Sequence, residues 1–178
     1  MMKNKINHDN YENYLFLGLH CSILMNNTEI CTYLINKLKS HFDQNYRAYK
    51  DILSNWINHQ NDQGLSPLHY ASYKGNIEII DLLIENGANL AILNNKGLNV
   101  MHLAAQGDQP NSIVYFKEKY HLNIESTDNL GSTPLHWAIF SGSAGAFKFL
   151  ISYDLDFDKG DSEGLTPLHL AIDQGKYL

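Results

Sequence analysis

GLSPLH from Gly64, GLNVMH from Gly97, GSTPLH from Gly131 and GLTPLH from Gly164 are four versions of one signature, at successive spacings of 33, 34 and 33 residues. A fixed period of that length marks a repeat array, in which each unit is one supersecondary element that buries its apolar face on its neighbours. The residue three before each His is of helix N-cap type: Ser66, Asn99, Thr133 and Thr166. Their side-chain oxygens can accept from amides of the first turn, so a helix is predicted to start at each. Pro67, Pro134 and Pro167 follow at the first helical position, where a fixed φ helps and a missing N–H costs nothing. Val100 replaces proline in the second copy, and Pro110 marks another helix start after the turn at Gly107–Gln109.

Two residues beyond each His stands a small Ala (71, 104, 138, 171), which lets neighbouring helices approach. Gly75, Gly142 and Gly175 are placed to end this first helix. A second helix follows, with apolar residues at helical spacing: Ile79, Ile80, Leu82 and Leu83, then Ile113, Val114 and Phe116, then Phe147, Phe149 and Leu150. Gly87 is expected to close it in the left-handed conformation, with His121 and Asp154 at the equivalent positions.

These residues resemble ankyrin repeats, with TPLH and the preceding Gly as markers over about residues 61–178, taken as three full units and a truncated fourth. The resemblance implies an all-α fold: a solenoid of stacked antiparallel helix pairs with projecting β-hairpin loops. Residues 1–60 read as a degenerate N-terminal unit plus an inserted helix. NNTEICTYLI from Asn26 matches GNIEIIDLLI from Gly75 at an offset of 49, which also sets His20 on His69. Within the insertion at 39–60, Phe42, Tyr46, Tyr49, Leu53 and Trp56 predict an amphipathic helix over about Asp43–Ile57, taken as part of an end cap. The sequence stops inside the fourth unit, from which a longer parent protein or a truncated gene product is expected.

Composition narrows the function. The 178 residues are 44% hydrophobic and 18% charged, as in a folded protein, and the net charge of −6 with pI near 5.8 argues against nucleic acid as partner. No secretory leader or membrane-length apolar window is visible, which gives a cytoplasmic expectation with no membrane insertion by this segment. Cys21 and Cys31 lack zinc-site spacing, and no cofactor is expected.

His69, His102, His136 and His169 recur at one register, but stacked helices lie about 8–10 Å apart, too far for their imidazoles to converge on one ion. They read as structural, each bonding hairpin backbone and the capping side chain. His20 beside Cys21 does not form a nucleophile–base pair, because adjacent helix residues diverge around the axis. DLDFDKGDSEG from Asp154 has its glycine one residue late for a calcium loop, and Leu165 where a bidentate Glu is needed. It reads as an acidic hairpin.

In ankyrin stacks the positions one and four after the His border the concave groove, which the resemblance places at Tyr70 and Tyr73, Leu103 and Gln106, Trp137 and Phe140, and Leu170 and Asp173. The aromatic pairs, with polar tips around them (Asp62, Gln63, Asn95, Lys96, Asn129, Ser162, Glu163), fit either a binding hot spot with a polar rim or packing of the groove floor. Both readings stand for Trp137; packing is favoured for Tyr70. NVMHLAAQGDQP, YFKEKYHLNI and GSTPLHWAIFSGS further resemble the cytosolic ankyrin region of protozoan DHHC-type palmitoyltransferases. That resemblance implies a non-catalytic module that recruits protein substrates as extended peptides, with Trp137 at the position of a peptide-capturing tryptophan; separately, a monomer is expected. The Asn that accompanies it one repeat earlier is unmatched, because Gly107 or Asp108 stands there. The alternative is a free-standing cytosolic ankyrin adaptor.

Overall fold

A computed structural model describes residues 17–41, 46–173 and 175. Ten helices run through them: α1 (17–24), α2 (Thr28–His41), α3 (Tyr46–Ile57), α4 (Pro67–Lys74), α5 (Ile77–Glu85), α6 (Val100–Gln106), α7 (Pro110–Tyr120), α8 (Pro134–Ser141), α9 (Ala144–Leu150) and α10 (Pro167–Asp173). Helices α4, α6, α8 and α10 pack side by side in that order as an inner layer. The outer layer is α5, α7 and α9, each against the inner helix before it, with α2 against both α5 and α3.

Between the layers lies one apolar core. Leu68, Ile79, Ile80, Leu83, Met101, Ile113 and Phe116 are all fully buried, and so are the inner-helix alanines Ala71, Ala104 and Ala138. The outer layer is also tied across units by polar contacts. Tyr115 O–H donates to Asp81, and the Lys119 ammonium lies 2.8 Å from the same carboxylate.

The four hairpin loops carry no assigned strand among the described residues. Each is a tight finger closed at its base by a backbone bond, Asn61 N–H to Leu65 C=O (3.1 Å), Asn94 to Leu98 (3.0 Å), Asp128 to Ser132 (3.0 Å) and Asp161 to Leu165 (2.9 Å). Single N–H to C=O bonds then link finger to finger, from Asn95 to Gln63, from Asn129 to Lys96 and from Ser162 to Leu130. One bond per step is too little for a ladder. Gly97 shows why the fingers sit so close: it has φ of +80°, and a Cβ there would lie 2.7 Å from the amide nitrogen of Asn129.

Helix ends differ in places from the sequence expectation. Gly75 and Gly142 take φ of 77° and 73°, and His121 takes φ of 54°. Asp154 is not left-handed: α9 stops at Leu150, and turns donated by Ile151, Ser152 and Tyr153 amides end it earlier. In the second unit the left-handed residue is Asp108 (φ 57°), at the register of Gly75 and Gly142. Asn26, 49 residues before Gly75, has φ of 57° as well. Helix α3 is described from Tyr46; Phe42 and the Asp43 start lie outside the described residues, as do the side chains of Tyr46 and Tyr49. Leu53 and Ile57 of α3 are buried, and Leu53 and Trp56 pack on Leu19, Leu34, Ile35 and Leu38.

Candidate functional site

The signature His residues fix the fingers on the helices. The Ser66 amide donates to His69 Nδ1 (3.1 Å), which leaves the imidazole proton on Nε2, facing the Leu98 carbonyl at 3.1 Å. His102 repeats this with the Asn99 amide and the Ser132 carbonyl, and His136 with the Thr133 amide and the Leu165 carbonyl. Each accepting carbonyl is the one that closes the next finger, so every one of these imidazoles clamps the base of the following unit. Burial holds all three below the ordinary histidine value, with His102 brought down to about 4. His169 meets Thr166 in the same local geometry (Nδ1 to Oγ1, 2.9 Å) but is exposed.

A second device shapes each finger. Asn61, Asn94, Asp128 and Asp161 each accept, through Oδ1, from the amides two and four residues on, which holds the turn rigid. The sequence reading missed these residues, although an Asn or Asp three before every signature Gly is visible at the repeat period. In two units the remaining side-chain atom holds the aromatic after the His. Asn61 Nδ2 donates to the Tyr70 hydroxyl (2.9 Å), and Trp137 Nε1 donates to Asp128 Oδ2 (2.9 Å).

Trp137 is thereby held upright on α8, half-buried between two hollows of the groove. One, of about 540 Å³, lies toward the third and fourth fingers and includes Trp137, Phe140, Leu170, Leu130, Asp161 and Glu163. The other, about 350 Å³, lies toward the first and second fingers and includes Leu103, Gln106, Leu98, Gln63, Lys96 and Trp137. Phe140, 57% exposed, meets the indole edge-on at 5.6 Å, and the Lys96 ammonium stands 5.8 Å from the indole centroid.

Of the residues named from the register, the structure gathers Leu103, Gln106, Trp137, Phe140 and Leu170 around these hollows. Tyr70 and Tyr73 line neither. Tyr70 is drawn back onto its own finger by Asn61, and Tyr73 is 40% exposed with the Lys74 ammonium 5.9 Å from its ring. Asp173 faces a separate hollow at α10 with His169 and Ile172. The polar rim is partly spent on the scaffold, since Asn95 Nδ2 donates to the Asp62 carbonyl (2.8 Å) and Asn129 Nδ2 to the Asn95 carbonyl (3.2 Å). At Gly107 a Cβ would run into the Tyr73 carbonyl, so the unmatched Asn position is closed by packing as well as by sequence. Asp108 instead reaches into the next unit, where its Oδ1 accepts from the Ala146 amide (2.7 Å) in the first turn of α9.

His20 stacks edge-on against His59 at 5.7 Å, Cys21 is exposed, and the Cys31 thiol lies 3.0 Å from the Ser22 hydroxyl in the core. Among the described residues no helix is long and apolar enough to cross a membrane.

A stack of helix pairs with a single row of fingers over an aromatic groove defines a protein–protein interaction repeat. The chain belongs to the ankyrin-repeat family: the model for ankyrin repeats (3 copies) matches residues 40–128 and 109–178. Palmitoyltransferase AKR1 of Lachancea kluyveri is 27% identical over 137 residues, 75% of this chain and 17% of that protein. The Nuclear factor NF-kappa-B p105 subunit of Gallus gallus is 30% identical over 136 residues, 75% of this chain and 13% of that protein. Transient receptor potential cation channel subfamily A member 1 of Homo sapiens is 30% identical over 135 residues, 72% of this chain and 12% of that protein. The chain thus spans less than a fifth of the length of each.

Proposed function

We propose that the groove binds an extended segment of a partner protein across Tyr73, Leu103, Trp137 and Phe140, and that the chain serves as the substrate-recruiting, cytosolic ankyrin region of a membrane protein S-palmitoyltransferase. The observation that carries the binding reading is the Asp128-braced Trp137, which stands between two hollows with Phe140 against it. A large rigid aromatic in a concave, polar-rimmed site is the usual form of a hot spot. The acyltransferase reading is supported by the stretches NVMHLAAQGDQP and GSTPLHWAIFSGS and by the palmitoyltransferase relative. A free-standing adaptor is the second reading: the Nuclear factor NF-kappa-B p105 subunit and a transient receptor potential cation channel match about as much of the chain as the palmitoyltransferase does, so the likeness is not particular to acyltransferases.

Panning a random peptide library on the purified chain tests the groove. Trp137→Ala is expected to weaken a selected peptide by about 2 kcal/mol or more, and unchanged affinity in a folded variant sinks the reading. Extending the transcript past the Leu178 codon separates the two parents: membrane-length apolar stretches with a Cys/His-rich DHHC segment support the first, and a capping helix followed by a stop codon supports the second. Residues 1–60 we propose to be a worn unit plus an inserted helix that covers the end of the stack. Deletion of residues 40–58 should then cost solubility and cooperative unfolding, measured by gel filtration and urea titration.

A further inference from the structure

The charges around the larger hollow are unevenly committed. Among the acids that line it, Asp128 is fully engaged, with Oδ1 on the Leu130 and Ser132 amides and Oδ2 on the Trp137 indole. Asp161 stands at the same register in the fourth finger. Its Oδ1 likewise takes the Glu163 and Leu165 amides at 2.9 Å each. The residue that should supply the indole is Leu170, which has no donor, so among the described residues Asp161 Oδ2 has no hydrogen-bond or ion-pair partner. In the second unit the matching pair is Asn94 and Leu103, where the Asx side chain carries no charge. At the Asx-turn position an uncommitted carboxylate is therefore found in the fourth finger alone among the described units, where Glu163 adds a second negative charge two residues away; Asp62, on the first finger, is an acid beside the other hollow instead.

The apolar lining of the same hollow supplies the other half of a recognition site. Trp137 and Phe140 present aromatic surface, with Leu130 and Leu170 beside them. Lys96, on the second finger, already places one cation by the indole, whereas the lining charges at the fourth finger are Asp161 and Glu163, both negative. A planar cation that stacks on an aromatic and forks onto a carboxylate satisfies both features, and in proteins that group is guanidinium. We propose that the fourth-finger end of the groove receives an arginine side chain of the bound peptide, stacked against Trp137 and Phe140 and paired with Asp161, beside an aliphatic residue that fills the hollow at Leu170. This inference rests on the groove being a peptide site, and it names the chemistry of the partner: a basic and apolar linear segment.

The repeat itself provides the control. Asn61 and Asn94 make the same turn with the same Oδ1 bonds, so Asp161→Asn removes the charge and keeps the finger. The probe is the strongest binder from a random 16-residue peptide library panned on the chain, synthesised with its arginine intact and as the Arg→Gln analogue. Selected peptides are expected to share one basic position beside an aliphatic one. Arg→Gln should weaken binding by about tenfold to the wild-type chain, as for loss of a charge-assisted bond, and by less than twofold to the Asp161→Asn chain. Wild-type affinity should also fall with salt. Glu163→Gln, at an exposed tip, should show a smaller loss in the same direction. Selected peptides without a basic residue, or an Arg→Gln loss equal on wild type and Asp161→Asn, overturn the proposal while leaving the peptide groove standing. Selection of no peptide at all overturns the groove reading and this inference with it.

Discussion

The third and fourth units carry nearly the same words, GSTPLHWAI and GLTPLHLAI, yet they occupy opposite states. In the third, Thr133 and His136 are buried, the imidazole clamps Leu165 of the following finger, and Asp128 braces Trp137. In the fourth, the same threonine–histidine cap forms around Thr166 and His169, but His169 is exposed, Leu168 is 66% and Ile172 55% exposed, and Asp161 faces the groove with an oxygen unspent. The signature therefore encodes a helix start and a finger base. Whether it also encodes stability depends on the next unit, and whether it encodes recognition depends on the one residue after the His.

The largest test of that difference is truncation of the imidazoles. His136→Ala should leave the buried Thr133 amide and Leu165 carbonyl without their shared partner and cost about 3 kcal/mol, through lost bonds and an unfilled site. His169→Ala should cost no more than about 0.5 kcal/mol, as for an exposed position. Urea unfolding of the two variants reads both values, and equal losses would break the comparison.

Acid sharpens it next. An imidazole held neutral by burial binds its proton later than in the unfolded chain, so stability is full above the ordinary value of 6.5 and declines as pH falls toward about 4 for His102. That separation corresponds to roughly 3 kcal/mol from His102, with His69 and His136 adding in the same direction. Unfolding midpoints at pH 7 and pH 4.5 should differ accordingly, and His102→Gln should flatten the profile.

The smallest effect separates the two carboxylates. Asp128→Asn puts an amide donor where the indole N–H needs an acceptor and should cost about 1 kcal/mol, with a change in Trp137 fluorescence. Asp161→Asn should leave the unfolding midpoint within about 0.5 kcal/mol of wild type, because its turn bonds survive in the amide.

Helix starts, unit length and the layer order are legible in the sequence because proline, cap residue and histidine act within a few residues of one another. The groove positions Trp137, Phe140, Leu103 and Gln106 come from the ankyrin resemblance, which assigns the residues one and four after each signature His to one face. It does not show that Tyr70 is pulled back by Asn61, since that depends on where the base of a finger lies relative to a helix residue nine positions on. Asp108 is harder still. It replaces glycine at a left-handed position and then caps α9 in the next unit, 38 residues away, because Ser143 makes no side-chain cap bond there. The end of α9 escapes the repeat register for a related reason: turns at Ile151 to Tyr153 supply the stop, so nothing forces Asp154 into positive φ.

The histidine clamps all point one way. His69 holds the finger of the second unit, His102 that of the third and His136 that of the fourth, and none of these imidazoles reaches back. The array is accordingly vectorial, like a zipper whose teeth engage in one direction only. Loss of a unit strands the imidazole of the unit before it and leaves the unit after it with its own cap intact, so unravelling from the fourth unit toward the first exposes a fresh unsatisfied histidine at every step.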